Sequence, residues 1–289
     1  MDVFLPASLE EALQILAERP DAVPIAGGSD LMVALNFRRL RPDAMLDLTR
    51  IPELQEVRRS DDEVFLGAGV TYARIVREVR DVPTLVQASR TVGSPQIRAR
   101  GTVGGNLGTG SPAGDALPVL AVHDADVELV AAGGRRRSVP WHGFLLGPKR
   151  TARAPDELIL GARWRPIAGP GSFSKVGTRN AMVIAVASLC LQLDPETRSV
   201  RVALGSVAPT VVRAPEAEAF AAGALTDAGS WEGPAGTLAD EVFREFGELV
   251  AGAATPIDDV RGSAAYRRHA LTVLARRALT WATSGEAAA

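Results

Sequence analysis

At 289 residues the chain is long enough for two or three compact units, and its 32 basic residues nearly balance 34 acidic ones. That balance leaves no bulk field to draw it to nucleic acid or anionic lipid, so neither partner is expected. A single cysteine, Cys190 in the apolar stretch MVIAVASLCLQL, excludes by count any disulfide, iron–sulfur ligation or cysteine-based zinc site within the chain, and it reads as a core residue.

The first residues, MDVFLPASLEEALQILAERP, have no basic leader before an apolar stretch, and Glu10, Glu11 and Glu18 lie where a signal peptide would be apolar. No apolar run approaches the roughly 20 residues of a bilayer-spanning helix. A cytoplasmic protein without a membrane span is expected. Ser8-Leu9-Glu10-Glu11 is a capping box and predicts a helix over 8–18, with Leu9, Ala12, Leu13 and Leu16 on one face. A short strand, Val23 to Ala26, follows; it is broken by Gly27-Gly28, and a helical pattern runs from Asp30 towards Arg38.

Strands are predicted at 43–48 and 63–69, and helices from Thr71 and over 83–92. Next comes SPQIRARGTVGGNLGTGSPAGD, with five glycines within residues 101–110. It reads as a loop of about twenty residues, and loops of that length between strong apolar flanks tend to be functional. A short helix from Ala116, a strand Asp126 to Ala131 and a Gly133-Gly134 hairpin turn follow, with Arg135, Arg136 and Arg137 read most simply as a solvated tip and otherwise as a docking contact for an acidic partner. After a strand over 158–164, the Pro and Gly cluster at 167–171 marks a domain boundary. Beyond it lie strands at 182–193 and 200–207 and helices at about 238–251 and 258–282. Mixed α and β, then strands followed by helices, argue for an α+β fold.

Two glycine turns, PIAGGSDL at 24–31 and GTVGGNLG at 101–108, could bring backbone N–H groups close to an anion. Each could equally be a tight connection between core elements. Gly108-x-Gly110-x-x-Ala113, with Glu128 further on, satisfies the dinucleotide pattern, but no strand runs into Gly108 and Ser111-Pro112 breaks the turn that should open a helix. That match is set aside. His123, His142 and His269 have no metal-ligand spacing, and there is no Walker loop and no G-x-S-x-G elbow. No metal site and no acid or base catalyst is expected. The remaining features are two anion-cradling turns, Asp115 at the end of the glycine-rich segment, and Lys175 with Arg179 past the boundary. They suit an extended cofactor with a central pyrophosphate, to which the protein supplies position and electrostatics.

At these same residues the chain resembles the FAD-binding medium subunit of the molybdenum hydroxylases, as in aerobic carbon monoxide dehydrogenase and xanthine dehydrogenase. The resemblance runs through SLEEALQILAE, PIAGGSDL, FLGAGVTYARI, GSPQIRARGTVGGNLGTGSPAGDALPVL, FSKVGTRNAMVIAVAS and DDVRGSAAYRRHALTVLARRAL. It implies a two-part FAD-binding domain of the vanillyl-alcohol-oxidase (PCMH) type over 1–170, divided at about residue 55 into a small α/β subdomain and a larger α+β one with FAD between them. A C-terminal domain over 171–289, a three-stranded sheet with helices, would follow. By the same resemblance, Ala26, Gly27, Gly28, Ser29, Asp30 and Leu31 meet the pyrophosphate, and Thr102, Val103, Gly104, Gly105 and Asn106 form a second cradle. Asp115 holds a cofactor hydroxyl, Ile159 borders the flavin ring or adenine, and Val92 packs against the cofactor. Lys175 lies near the flavin, where a cation would stabilise a reduced ring.

The implied partners are a small subunit with two [2Fe–2S] clusters and a large subunit with the molybdenum cofactor, as a dimer of heterotrimers. Electrons would pass from the clusters through FAD to an external acceptor. The ligands of the extra cluster that some relatives carry are absent, because Cys190 is the only cysteine. Two other readings remain at this level: an assembly subunit that has lost flavin, and a stand-alone FAD oxidase. Substrate and physiological acceptor are not legible in this chain.

Overall fold

A computed structural model of the chain describes residues 1–231 and 238–284; residues 232–237 and 285–289 of the expected C-terminal domain lie outside the described residues. In chain order the strands are β1 (Asp2–Phe4), β2 (Val23–Ile25), β3 (Ala44–Asp47), β4 (Val57–Arg59), β5 (Val64–Gly67), β6 (Asp126–Ala131), β7 (Arg136–Pro140), β8 (Leu145–Gly147), β9 (Arg150–Thr151), β10 (Glu157–Trp164), β11 (Gly171–Val176), β12 (Ala187–Asp194), β13 (Ser199–Gly205) and β14 (Val212–Arg213). The helices are α1 (Leu9–Glu18), α2 (Leu31–Asn36), α3 (Tyr72–Glu78), α4 (Pro83–Thr91), α5 (Pro95–Arg100), α6 (Val103–Thr109), α7 (Ala116–Val122), α8 (Trp141–Phe144), α9 (Pro215–Asp227), α10 (Asp240–Gly252) and α11 (Ala264–Ser284). By internal contacts the chain groups into two units, Met1–Glu78 with Gly93–Ser111 and Asp124–Pro166, and Val79–Val92 with Pro112–His123 and Ile167–Ala289.

The first unit holds a parallel three-stranded sheet in the order β1-β3-β2 and an antiparallel five-stranded sheet in the order β4-β5-β10-β6-β7. Ser8 caps the helix, its Oγ accepting from the Glu11 amide at 3.2 Å, and the return bond of Glu11 falls one residue upstream of the capping-box position, on the Ala7 amide at 2.7 Å. Its helix buries Leu9, Ala12, Leu13 and Leu16, the face that the 3.6-residue spacing picks out. β10 is buried along nearly its whole length, as a central strand must be, and its register against β6 shifts between Ile159 and Gly161. At that irregularity the Leu160 carbonyl accepts from the Ala68 amide at 3.0 Å, and the Ala68 carbonyl accepts from the Gly104 amide at 3.0 Å. One short relay thus ties the central strand to the second glycine turn.

The Arg135 to Arg137 segment is not a solvated tip throughout. Arg135 pairs with Asp156 at 2.7 Å, and Arg137 donates to both oxygens of Glu157 at 2.7 Å. Glu157 is 3 % exposed and also accepts from the Ala154 amide at 2.8 Å. Hydrogen bonding from Arg137 holds this carboxyl below the usual carboxylate range, against the opposing effect of burial. As pH falls below the unfolded value of about 4.3, the unfolded chain takes up the proton first, so this stabilisation is complete above that value and is lost towards the folded one. Acid unfolding of Glu157→Gln, followed by circular dichroism, should therefore show a shallower loss of stability below about pH 4 than the parent.

In the second unit β11, β12, β13 and β14 form one antiparallel sheet, three long strands and a two-residue edge. Leu189, Leu191 and Leu193 lie opposite Leu204, Val202 and Val200 and join the core made with α9, α10 and α11. The other face of β12 carries Cys190, which is fully buried beside Thr84 of α4; burial pushes its thiol up and leaves it inert. The strand expected from Met182 starts at Ala187, and β11 and α9 add to the elements read from the sequence. Every residue of α7 is buried, so its last carbonyls cannot reach water. Arg213 and Arg201 donate to them instead, to Ala121 O at 3.0 Å and Val122 O at 3.3 Å. No helix among the described residues is long and apolar enough to cross a membrane.

Candidate cofactor site

In the first unit, β2 ends at Ile25 and the chain turns through Gly27-Gly28 into α2. The amides of Ala26, Gly27, Gly28, Ser29, Asp30 and Leu31 donate to no acceptor among the described residues, and the first amide of this segment to do so is that of Met32, to Gly28 O at 3.0 Å. An unbroken run of unpaired, part-exposed amides is a ready anion site. Gly27 holds the run in place by close approach: a Cβ there would sit inside the Arg100 carbonyl and against the Gly101 backbone. The two glycine turns are therefore packed together.

The segment read as one long loop forms two short helices, α5 and α6. Ser94 caps α5 by accepting from the Ile97 amide at 3.3 Å, and Thr102 caps α6 by accepting from the Gly105 amide at 2.9 Å. As a result the second turn differs from the first. The Val103 amide donates to Val70 O, that of Gly104 to Ala68 O and that of Asn106 to Thr102 O. What this turn can offer a cofactor is the Asn106 side chain, whose Oδ1 is buried without a hydrogen-bond partner, and the bare surface of Gly105. Gly104 faces inward, and a Cβ on it would collide with Ala68. Ile159, 7 % exposed on β10, meets the same helix, its Cδ1 3.7 Å from where a Cβ on Gly108 would lie.

The dinucleotide pattern at Gly108 is ruled out by this geometry, since α6 ends there instead of beginning, and Glu128 pairs with Arg163 at 2.6 Å. Sequence reasoning missed Lys149. Its amide donates to Gly110 O at 3.0 Å and its Nζ lies 3.7 Å from Asp30 Oδ2, so one residue touches the ends of both glycine segments. The only hint was a Gly-Pro-Lys turn without a Walker loop's spacing.

Val92, Asp115 and Lys175 belong to the second unit. Lys175 Nζ donates to Asp115 Oδ2 at 2.6 Å and to Thr91 O at 3.1 Å, and Thr91 Oγ1 donates to the same Asp115 oxygen at 3.2 Å. Val92, half-buried at the end of α4, directly follows Thr91. Thr91, missed like Lys149, carries no signal in the sequence that would select it. Both charged side chains are 7 % exposed, and burial pushes the Asp115 carboxyl up, against the lowering effect of Lys175 and Thr91. Asp115 Oδ1 is buried without a hydrogen-bond partner. Lys175 Nζ thus has two acceptors within its own unit.

Within the first unit these groups suit FAD chemically: unpaired amides match a diphosphate, and the Asn106 Oδ1 acceptor matches a hydroxyl or N–H donor. The comparisons agree. Residues 1–163 match the family described as the FAD binding domain in molybdopterin dehydrogenase, and residues 172–282 match the CO dehydrogenase flavoprotein C-terminal domain. The nicotine 6-hydroxylase medium subunit of Paenarthrobacter nicotinovorans is 31% identical over 285 residues, 95% of this chain and 94% of that protein. The carbon monoxide dehydrogenase medium chain of Hydrogenophaga pseudoflava is 29% identical over 96% of each. A solved structure of carbon monoxide dehydrogenase from that organism superimposes with a TM-score of 0.86 at 28% identity, over 100% of this chain and 98% of its own. Quinoline 2-oxidoreductase of Pseudomonas putida 86 gives 0.87 at 26% identity, over 99% and 98%. With its amide run, its two joined glycine turns and a family match over both halves, the chain belongs to the FAD-binding subunits of the molybdenum hydroxylases, which are oxidoreductases.

Proposed function

We propose that this chain takes electrons from [2Fe–2S] clusters on a small partner subunit and passes them to an external acceptor. It would do so in the cytoplasm, within a dimer of heterotrimers whose large subunit carries the molybdenum cofactor. The observation that carries this reading is the run of unpaired amides from Ala26 to Leu31, a feature whose natural occupant is a diphosphate. When bound, FAD supplies a redox centre that no side chain of the protein can replace. The chain itself binds and orients. The Ala26 to Leu31 amides would hold the diphosphate; Asn106 Oδ1 would accept from a donor of the cofactor beside Thr102, Val103, Gly104 and Gly105, and Ile159 would close that group with an apolar contact. Within the second unit, Asp115 would accept from a cofactor hydroxyl through Oδ1, Lys175 would hold Asp115 ionised, and Val92 would give an apolar contact.

The domain division that accompanies this reading places FAD binding in residues 1–170 and the remaining fold in 171–289. The test is anaerobic mixing of the assembled complex with its reductant, before and after FAD is stripped. With FAD the external acceptor is reduced; without it the clusters should bleach, stay bleached and leave the acceptor oxidised. Acceptor reduction that persists without FAD would remove this chain from the route, and flavin bleaching in the chain alone would make it a stand-alone oxidase.

A further inference from the structure

The helix that follows the amide run, α2, buries none of its residues. Met32 and Val33 are 44 % and 47 % exposed, and Phe37, just past the helix, is 69 % exposed. Phe37 is covered only in part by the Arg39 guanidinium, 5.3 Å from its ring centroid. Arg38, Arg39 and Arg41 are all exposed, and none of them pairs with a carboxylate among the described residues. Elsewhere in this unit Arg74 pairs with Glu78, Arg135 with Asp156 and Arg163 with Glu128, whereas Arg50, Arg100, Arg136 and Arg150 are exposed without a carboxylate partner among the described residues but do not cluster beside exposed Met, Val and Phe. The Leu31 to Arg41 segment, LMVALNFRRLR, contains no Asp, Glu or Lys.

An apolar centre of Met, Val and Phe beside unpaired arginine has the composition of a protein interface, where aromatic residues, Met and Arg are enriched and Lys is depleted. Arginine is also the cation suited to interfacial ion pairs, because its planar fork meets carboxylates bidentately. A lipid or nucleic-acid surface draws on a broad basic field, and the chain carries a net charge of −2. We propose that the segment Leu31 to Arg41 is a docking surface for a partner subunit that presents an apolar centre ringed by aspartate and glutamate. The proposal rests on the reading of this chain as one subunit of a larger complex.

The test is co-expression of the full chain with its partner subunits, with assembly measured by size exclusion. Phe37→Asp should weaken assembly by at least about tenfold, as loss of a central aromatic anchor does. Joint replacement Arg38→Glu, Arg39→Glu and Arg41→Glu should abolish assembly, whereas the same three positions changed to Lys should retain most of it. FAD content and the unfolding midpoint of the separate variants should match the parent, and salt should weaken the parent complex. Parent-like assembly by both the Phe37→Asp and the triple Glu variants would overturn the docking surface while leaving the subunit reading intact. If the parent chain co-purifies with no partner subunit, the subunit reading fails and the docking surface with it. Flotation of the parent with phosphatidylcholine–phosphatidylserine vesicles that Phe37→Asp abolishes, with assembly unaffected, would assign the patch to a lipid surface and overturn the proposal.

Discussion

Gly104→Val is expected to destabilise the first unit by about 2–3 kcal/mol and to release FAD as a consequence, whereas Gly105→Val should leave stability within about 1 kcal/mol and weaken FAD binding alone. The two glycines are adjacent in sequence and face different surroundings. A side chain at Gly104 is driven into Ala68, whose carbonyl accepts the Gly104 amide and whose amide is fixed to Leu160 of the central strand. The collision is with backbone, so no rotamer relieves it. A Cβ at Gly105 meets only Thr102 Oγ1, at 3.2 Å. Thermal unfolding and FAD titration of both variants check this, and equal loss of stability in the two would contradict it.

Lys175→Met is expected to cost about 3 kcal/mol or more, because it leaves Asp115 buried without its cation. Asp115→Asn with Lys175→Met should recover most of that loss, since removing both charges of a buried pair is often close to neutral. The single variant should also show a stronger pH dependence than the parent. Burial already raises the Asp115 carboxyl, and without Lys175 the opposing effect is gone. A carboxyl whose folded value lies above its unfolded value of about 3.9 favours the fold below that value and loses the stabilisation as pH rises through the folded one. The Lys175→Met variant should therefore be more stable near pH 4 than near neutrality, and denaturant titrations across that window measure it.

Much of the fold was legible because local chemistry and tertiary packing agree. Leu9, Ala12, Leu13 and Leu16 repeat at helical spacing behind the Ser8 cap, and all four are buried. The glycine-rich segment was not legible as helix, because glycine lowers helix propensity by about 1 kcal/mol per residue, and that swamped the cues at its edges. Those cues were present: Ser94 and Pro95 open α5, Thr102 caps α6, and Gly110 ends it. α9 escaped notice because its buried stripe, Ala217, Ala221 and Leu225, relies on small residues that give a weak periodic signal. In the candidate site, the glycine turns could be located from sequence, but the division of labour between them could not. It depends on which amides find carbonyl partners, at Val70, Ala68 and Thr102 for the second turn and nowhere among the described residues for the first. The Asp115 to Lys175 pair, and Lys149 beside Asp30, join residues far apart in the chain, and no local pattern encodes either contact.

The central claim is that the Ala26 to Leu31 amides hold the diphosphate of FAD, and competitive titration of the full chain tests it most directly. FAD should bind, ADP should displace it, and riboflavin, which lacks phosphate, should bind at least about a hundredfold more weakly, a difference of ~2.7 kcal/mol. Riboflavin binding as tight as that of FAD, with ADP unable to compete, would contradict the account.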